Sequence, residues 1–420
     1  MQRIVVASLA LGLASTAASA QTPKFANQGV SDTEIVIGTH QDLSGPIKAY
    51  GVNGSNGMKM AVEEINGAGG INGRKLRLVM EDVAYDPKKA VLATQKMIEL
   101  DKVFAMVGTL GSPTTLAPQP NVLAAGVFQL FPISSAEFTY QMDPAQPQDR
   151  LKFATTQPYP EATKATMREM MKRTKATKPC VMYQDDEFGK NIYNGFMAYM
   201  DEAKMKPASV TTYKRGATEF SSQVARMRAD GCDLVFLATI VRETIGAMTE
   251  GRKMDFNPVW ATSAAANVQD VVTLGKEAVE GLYATGLYET PYEDLATPPV
   301  KAWIATHRKM FGGDPNTQTI YGYNAIMNFA CYAKMAGKEL NGATMLAALE
   351  SGKGCADIFG DKPLSYHQGQ PPARDHRAIA PDQGRTVGDA QPRIADVRDV
   401  ARRRAIKVAR RASRPYSAKP

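Results

Sequence analysis

Residues 34–87, EIVIGTHQDLSGPIKAYGVNGSNGMKMAVEEINGAGGINGRKLRLVMEDVAYDP, decide the fold. Ile35 to Ile37 is a short β-branched run that predicts a strand, and Gly45-Pro46 marks the loop beyond it. Met58, Ala61, Val62 and Ile65 recur at i, i+3, i+4 and i+7, which gives a helix with one apolar face. Gly67 to Gly73 follow as a turn, and Leu76 to Val79 as a second strand. These glycines close a helix rather than open one and lack the dinucleotide order, so they do not read as a phosphate loop.

The pattern continues downstream. Val91, Thr94, Met97 and Ile98 give another amphipathic helix, and Phe104 to Val107 and Phe128 to Phe131 give two more strands. After Phe153 the alternation starts afresh with a helix from Glu161 to Arg173. Strands follow at Val181 to Tyr183, Val210 to Tyr213, Leu234 to Leu237 and Leu282 to Thr285, then helices from Val300, Thr319 and Ala343. The predicted class is α/β: two Rossmann-like lobes, each a parallel sheet with helices on both faces, joined by a multi-strand hinge. Residues 21–155 and 283–360 form the first lobe and 156–282 the second, with 361–420 an incomplete return and a tail. A cleft between such lobes binds ligands beyond the carboxyl ends of the strands.

Upstream, Arg3 supplies a positive start, Ile4 to Ala14 an apolar stretch, and Ala18-Ser19-Ala20 a small-residue cleavage site. This is a secretory leader, cut after Ala20 so that the mature chain begins at Gln21, with no Cys at the cut to carry a lipid.

The chain has 420 residues and a net charge of +8, but residues 367–420 alone hold 13 basic residues against 5 Asp. The body, 21–366, carries 36 basic and 37 acidic groups and has no electrostatic case for nucleic acid or an anionic membrane. The tail lacks Leu, Met, Phe, Trp and Glu, so it buries too little apolar area to order itself and is expected to be disordered. Its composition fits a reading-frame change after Tyr366; if native, it leaves the second lobe short of edge strands. Cys180 and Cys232 each open a strand, and two free buried thiols are expected there, with a bridge as the alternative. Cys331 and Cys355 match no metal spacing.

Catalytic groups are scarce. Only His40 and His307 lie outside the tail, and no G-x-S-x-G elbow or phosphate loop occurs. His40 is read as a loop residue at the cleft rim, and Asp185 and Asp186 as solvated loop acids. No enzyme, metal or cofactor is expected. Ser112, after Gly111, stands where a hydroxyl and free backbone N–H groups grip a carboxylate, or where a serine merely caps a helix. Ile133, Ser134 and Ser135 follow Pro132 at the end of another strand, where serine hydroxyls stabilise a turn.

The stretch GTHQDLSGPIKAYGVNGSNGMKMAVEEINGAGGINGRKLRLVMEDVAYDP, with VGTLGSPTTLAPQPNVLAAGVFQLFPISSA and YQDDEFGKNIYNGF, resembles the leucine/isoleucine/valine-type periplasmic binding proteins over about residues 33 to 365. The resemblance implies a type I periplasmic binding fold, hinge closure around a small ligand, and delivery to an ABC permease in the inner membrane. It implies a periplasmic monomer; a sensing domain of the same fold is the alternative. By the same resemblance Ser112 contacts the ligand carboxylate, the backbone at Ile133 and the backbone and hydroxyl at Ser135 hold the polar head, and Tyr50 and Phe188 cover the ligand from either lobe. Where amino-acid-binding members carry an acid for the ammonium group, this chain has Ser263, and a nearby tyrosine is Ile240, beside Thr239. An unanswered ammonium is poorly compensated in a closed cleft, so the departure favours a carboxylate without an amine. Glu243 and Asp186 are the acids that would reverse this.

Overall fold

In the computed structural model the described residues are 22–359, apart from 144, 287–292 and 294–295, together with the backbone of 364–365, 380–381 and 393–396. The first lobe runs β1 (Glu34–Gln41), α1 (Lys48–Gly67), β2 (Lys75–Asp82), α2 (Pro87–Glu99), β3 (Ala105–Val107), α3 (Ser112–Leu116), α4 (Gln119–Ala124), β4 (Phe128–Leu130) and β5 (Lys152–Phe153). The second runs α5 (Tyr159–Thr174), β6 (Pro179–Gln184), α6 (Glu187–Glu202), β7 (Ser209–Tyr213), α7 (Ser221–Ala229), β8 (Leu234–Ala238), α8 (Val241–Lys253), β9 (Val259–Thr262), α9 (Gln269–Gly275) and β10 (Leu282–Gly286). The chain then returns to the first lobe with α10 (Pro298–Phe311), α11 (Thr317–Met335) and α12 (Gly342–Leu349). Beyond these lie β11 (Leu364–Ser365), β12 (Ala380–Pro381) and β13 (Arg393–Asp396).

The two sheets share one topology. The first is ordered β2-β1-β3-β4-β5 and the second β13-β10-β9-β8-β6-β7, parallel throughout except for β13. In each, the chain steps outward once and then crosses back over its first strand, leaving a switch point beside β1 and another beside β6. Such a crossover puts helices on both faces. Side chains of β1 accordingly alternate: Ile35 and Ile37 pack with Met58, Ile320 and Phe329 on one face, Val36 with Met97 and Val103 on the other.

Three expectations change. Strand β10 pairs with β9, so the second sheet reaches Gly286, past the expected boundary at 282. β13 pairs antiparallel with β10, Tyr283 opposite Asp396, so part of the tail supplies an edge strand rather than leaving that edge open. Its four residues include neither Gly nor Pro, which leaves every backbone N–H able to pair; the remaining tail residues fall outside those described. All four cysteines are bridged, Cys180 to Cys232 and Cys331 to Cys355, where free thiols were expected at the first pair. The reason is adjacency: β6 and β8 are neighbours, and the Cα atoms of Cys180 and Cys232 lie 5.9 Å apart. Among the described residues no helix is long and apolar enough to cross a membrane.

Candidate functional site

The carboxyl ends of the two sheets meet at a cleft of about 600 Å³, counting its mouth toward solvent. Ile47, Tyr50, Tyr85 and Leu110 of the first lobe belong to the same apolar cluster as the second lobe's core, so the cleft walls pack directly together.

Asp42 builds the first wall. Its carboxylate accepts hydrogen bonds from the N–H of Ile47, at 2.7 Å, and of Gly45, which folds the Gly-Pro loop over the end of β1. Burial nevertheless raises its pKa above the usual carboxylate range. Gly51 is required beneath this loop, because a Cβ there would lie 1.8 Å from the Asp42 carbonyl oxygen. The first turn of α1 is thereby seated and Tyr50 lines the cleft, its buried hydroxyl without a hydrogen-bond partner.

Hydroxyl groups gather at the ends of β3 and β4. Ser112 Oγ and Ser134 Oγ are 2.8 Å apart, the Thr156 hydroxyl donates to the Ser134 carbonyl at 3.0 Å, and Ser135 lines the same wall. Gly111, with φ of 93°, sits in the left-handed region, and a Cβ there would reach 2.5 Å from the Tyr85 ring. Opposite, Phe188 opens α6, whose N-cap Asp186 accepts from the N–H groups of Phe188 and Gly189. The Phe188 ring meets Tyr159 edge-on, with centroids 5.5 Å apart. Burial pushes the Tyr50, Tyr85 and Tyr159 phenols up, so each stays a neutral hydroxyl at working pH.

A sequence model of the family described as periplasmic binding protein matches residues 34–381. The chain belongs to the periplasmic binding protein family. The match passes Tyr366, where the likeness was expected to stop. Among relatives, the amino acid binding protein of Pseudomonas aeruginosa is 24% identical over 308 residues, covering 72% of this chain and 79% of its own. The Leu/Ile/Val-binding protein of Escherichia coli is 26% identical over 275 residues, covering 62% and 69%. Among solved structures, a fatty acid ABC transporter substrate-binding protein from Thermomonospora curvata superposes with a TM-score of 0.72 at 21% identity, covering 82% of this chain and 86% of that one. A solute binding protein from R. palustris in complex with benzoate gives 0.68 at 18%, covering 80% and 89%. The structural likeness shows the shared two-lobe fold, and across these proteins the ligand class varies.

Of the residues read from sequence, this periplasmic binding protein brings Tyr50, Gly111, Ser112, Ile133, Ser134, Ser135 and Phe188 to the cleft. Thr239 and Ser263 stand behind the wall: Thr239 Oγ1 is 2.6 Å from Thr244 Oγ1, and Ser263 Oγ accepts from the Ala265 N–H at 3.3 Å. Their neighbours Ile240, Ala264 and Ala265 line the cleft instead. The Ile133 backbone is already engaged, its N–H donating to Thr109 at 2.8 Å and its carbonyl accepting from Gly111 at 3.1 Å. Ile133 therefore offers its side chain, not a free N–H. His40 is no rim residue: it is fully buried within β1, its ring nitrogens without partners and its pKa lowered to about 4 by that burial.

Tyr85, Tyr159, Gln318 and Tyr321 also line the cleft and were not anticipated. Tyr85 had a signal, since Tyr85-Asp86-Pro87 follows β2 at the same sheet end. Gln318 and Tyr321 had none, because only the return of α11 to the first lobe carries them there. Among the described residues no group of three or more His, Cys, Asp or Glu is placed to hold a metal ion.

Proposed function

We propose that this periplasmic binding protein is the receptor of an ABC importer for a small carboxylate that lacks an amine, an aromatic or short aliphatic acid. A leader cleaved after Ala20 delivers it to the periplasm, where it works as a monomer, presents its ligand to an inner-membrane permease and alters nothing chemically. The observation that carries this is the lining: among the described residues it contains no Asp, Glu, Lys, Arg or His.

An ammonium group enclosed there would lose its hydration without gaining an anion. The two acids singled out from the sequence are otherwise engaged. Asp186 caps α6 and pairs with Arg215 at 3.2 Å; Glu243 is buried, its carboxylate 3.4 Å from Arg242. A carboxylate needs only donors, and the hydroxyls of Ser112, Ser134 and Ser135 cluster at one end of a wall that is otherwise aromatic and aliphatic. Tyr50 and Phe188 would cover the body of the ligand from either side.

The test is a melting-temperature comparison of benzoate, octanoate, leucine and valine. A ligand at a hundred times its Kd stabilises the folded state by about 2.7 kcal/mol, a rise of a few degrees. Benzoate or octanoate should raise the transition most, and Ser112→Ala should weaken that binding by about 1.5–3 kcal/mol, the worth of a hydrogen bond to a charged group. Leucine or valine giving the larger rise would defeat the amine-free reading.

A further inference from the structure

Side chains of the second lobe bond to the backbone of the first: Asn191 Oδ1 accepts from the Glu137 N–H at 2.8 Å, and Arg215 makes a wider set of contacts. Arg215 follows β7 in the second lobe, and its Nε meets Asp186 Oδ2 at 3.2 Å within that lobe. Its Nη1 donates to the backbone carbonyl of Tyr85, in the first lobe, at 3.2 Å. Its guanidinium lies 5.5 Å from the centroid of the Tyr85 ring. Each end of this bridge is anchored in the binding wall. Asp186 is fixed by the N–H groups at the start of α6, which carries Phe188, and by the Gln184 amide at 2.6 Å. Tyr85, held at φ of 56°, lays its ring against Gly111, the residue before Ser112.

We propose that Arg215 is a positioning residue for ligand capture: it clasps Tyr85 across the cleft and so ties the Phe188 wall to the Ser112 wall. The geometry suits the role. A planar guanidinium bonds an acid along one edge, reaches a carbonyl from the other and presents its face to a ring, three contacts a lysine cannot make together. Both contacts to Tyr85 exist only while the lobes are together, so they bias the lobe equilibrium toward the arrangement seen here. When the lobes part, Asp186 still neutralises the guanidinium, so opening strands no buried charge. The clasp is therefore a bias and not a lock, and its removal should shift the open-to-closed ratio by about tenfold. This inference is independent of ligand class.

The experiment attaches a fluorophore pair at exposed Leu92 in the first lobe and exposed Leu274 in the second, and reads single-molecule energy transfer in the full mature chain. Arg215→Met and Arg215→Lys are compared with the parent, without ligand and with benzoate or leucine, whichever binds the parent more tightly. Both variants should move the population toward open lobes by about tenfold in at least one of these conditions and speed ligand release, with melting temperature nearly unchanged. Full closure in Arg215→Lys would reduce the effect to simple charge pairing and overturn the clasp. Unchanged distributions in both variants would overturn it equally.

Discussion

His40 shows how a single residue departs from its sequence reading. A histidine just before a Gly-Pro loop looks like a rim group, yet β1 runs one residue further and buries it completely. Burial lowers its pKa to about 4 from 6.5, so the folded protein resists a proton that the unfolded chain accepts. Its contribution to stability is whole above pH 6.5 and fades as pH falls through the window down to about 4. Between pH 7 and about pH 4.5 it should account for a loss of roughly 2.5 kcal/mol. Urea unfolding at the two pH values checks this: His40→Leu should lose that much less than the parent, and equal losses would show that His40 does not set the slope. Much of the candidate site was legible for the opposite reason. Gly111-Ser112 and Pro132 to Ser135 follow strands directly, so the sheet itself aims them at the cleft. Thr239 and Ser263 also follow strands, but each hydroxyl turns back onto its own lobe. A choice between two nearby acceptors leaves no trace in spacing.

At the scale of elements, α1 and α11 pack through glycine. A Cβ on Gly322 would lie 1.9 Å from the Gly54 carbonyl oxygen, and one on Gly57 would lie 2.0 Å from that of Thr319. This close approach sets Tyr50, at the start of α1, beside Gln318 and Tyr321, at the start of α11, on one cleft wall. Gly322→Ala must push the helices apart and should destabilise by about 1–3 kcal/mol, the usual range for overpacking. It should also weaken ligand binding, because both helix starts move. Gly67, at the far end of α1, has open space around its Cβ position, so Gly67→Ala should be neutral or stabilising by up to about 1 kcal/mol. Denaturant midpoints separate the two, and a matching pair would show that the crossing tolerates side chains. Strands β1 to β4, β6 to β8 and β10 were readable from their apolar runs, as were α1, α2, α5, α10, α11 and α12, but β5, β9 and the second-lobe helices after α5 were not read. The crossing of α1 and α11 was not, because the residues that allow it contribute no side chain to a pattern.

The whole molecule carries one disulfide in each lobe and none across the hinge. Cys180–Cys232 closes a span of 52 residues between adjacent strands of the second sheet, and Cys331–Cys355 closes 24 residues between α11 and the segment after α12. By loop-closure entropy these are worth about 4 and about 3.5 kcal/mol respectively. Sequence could not fix the pairing, since four cysteines allow three connectivities, and only the side-by-side placement of β6 and β8 selects among them. Because neither bridge spans the lobes, each stiffens one rigid body and leaves the closing motion free. Reduction, or the paired replacement of Cys180 and Cys232 by serine, should therefore lower the second lobe's melting temperature by roughly 10 °C. Ligand affinity well below that temperature should stay within about threefold, since no cleft residue is bonded to either bridge. Thiol titration of the unfolded, unreduced protein is the direct check. No reactive thiol is expected, whereas four would show that the bridges do not form and that the lobes stand on their apolar cores alone.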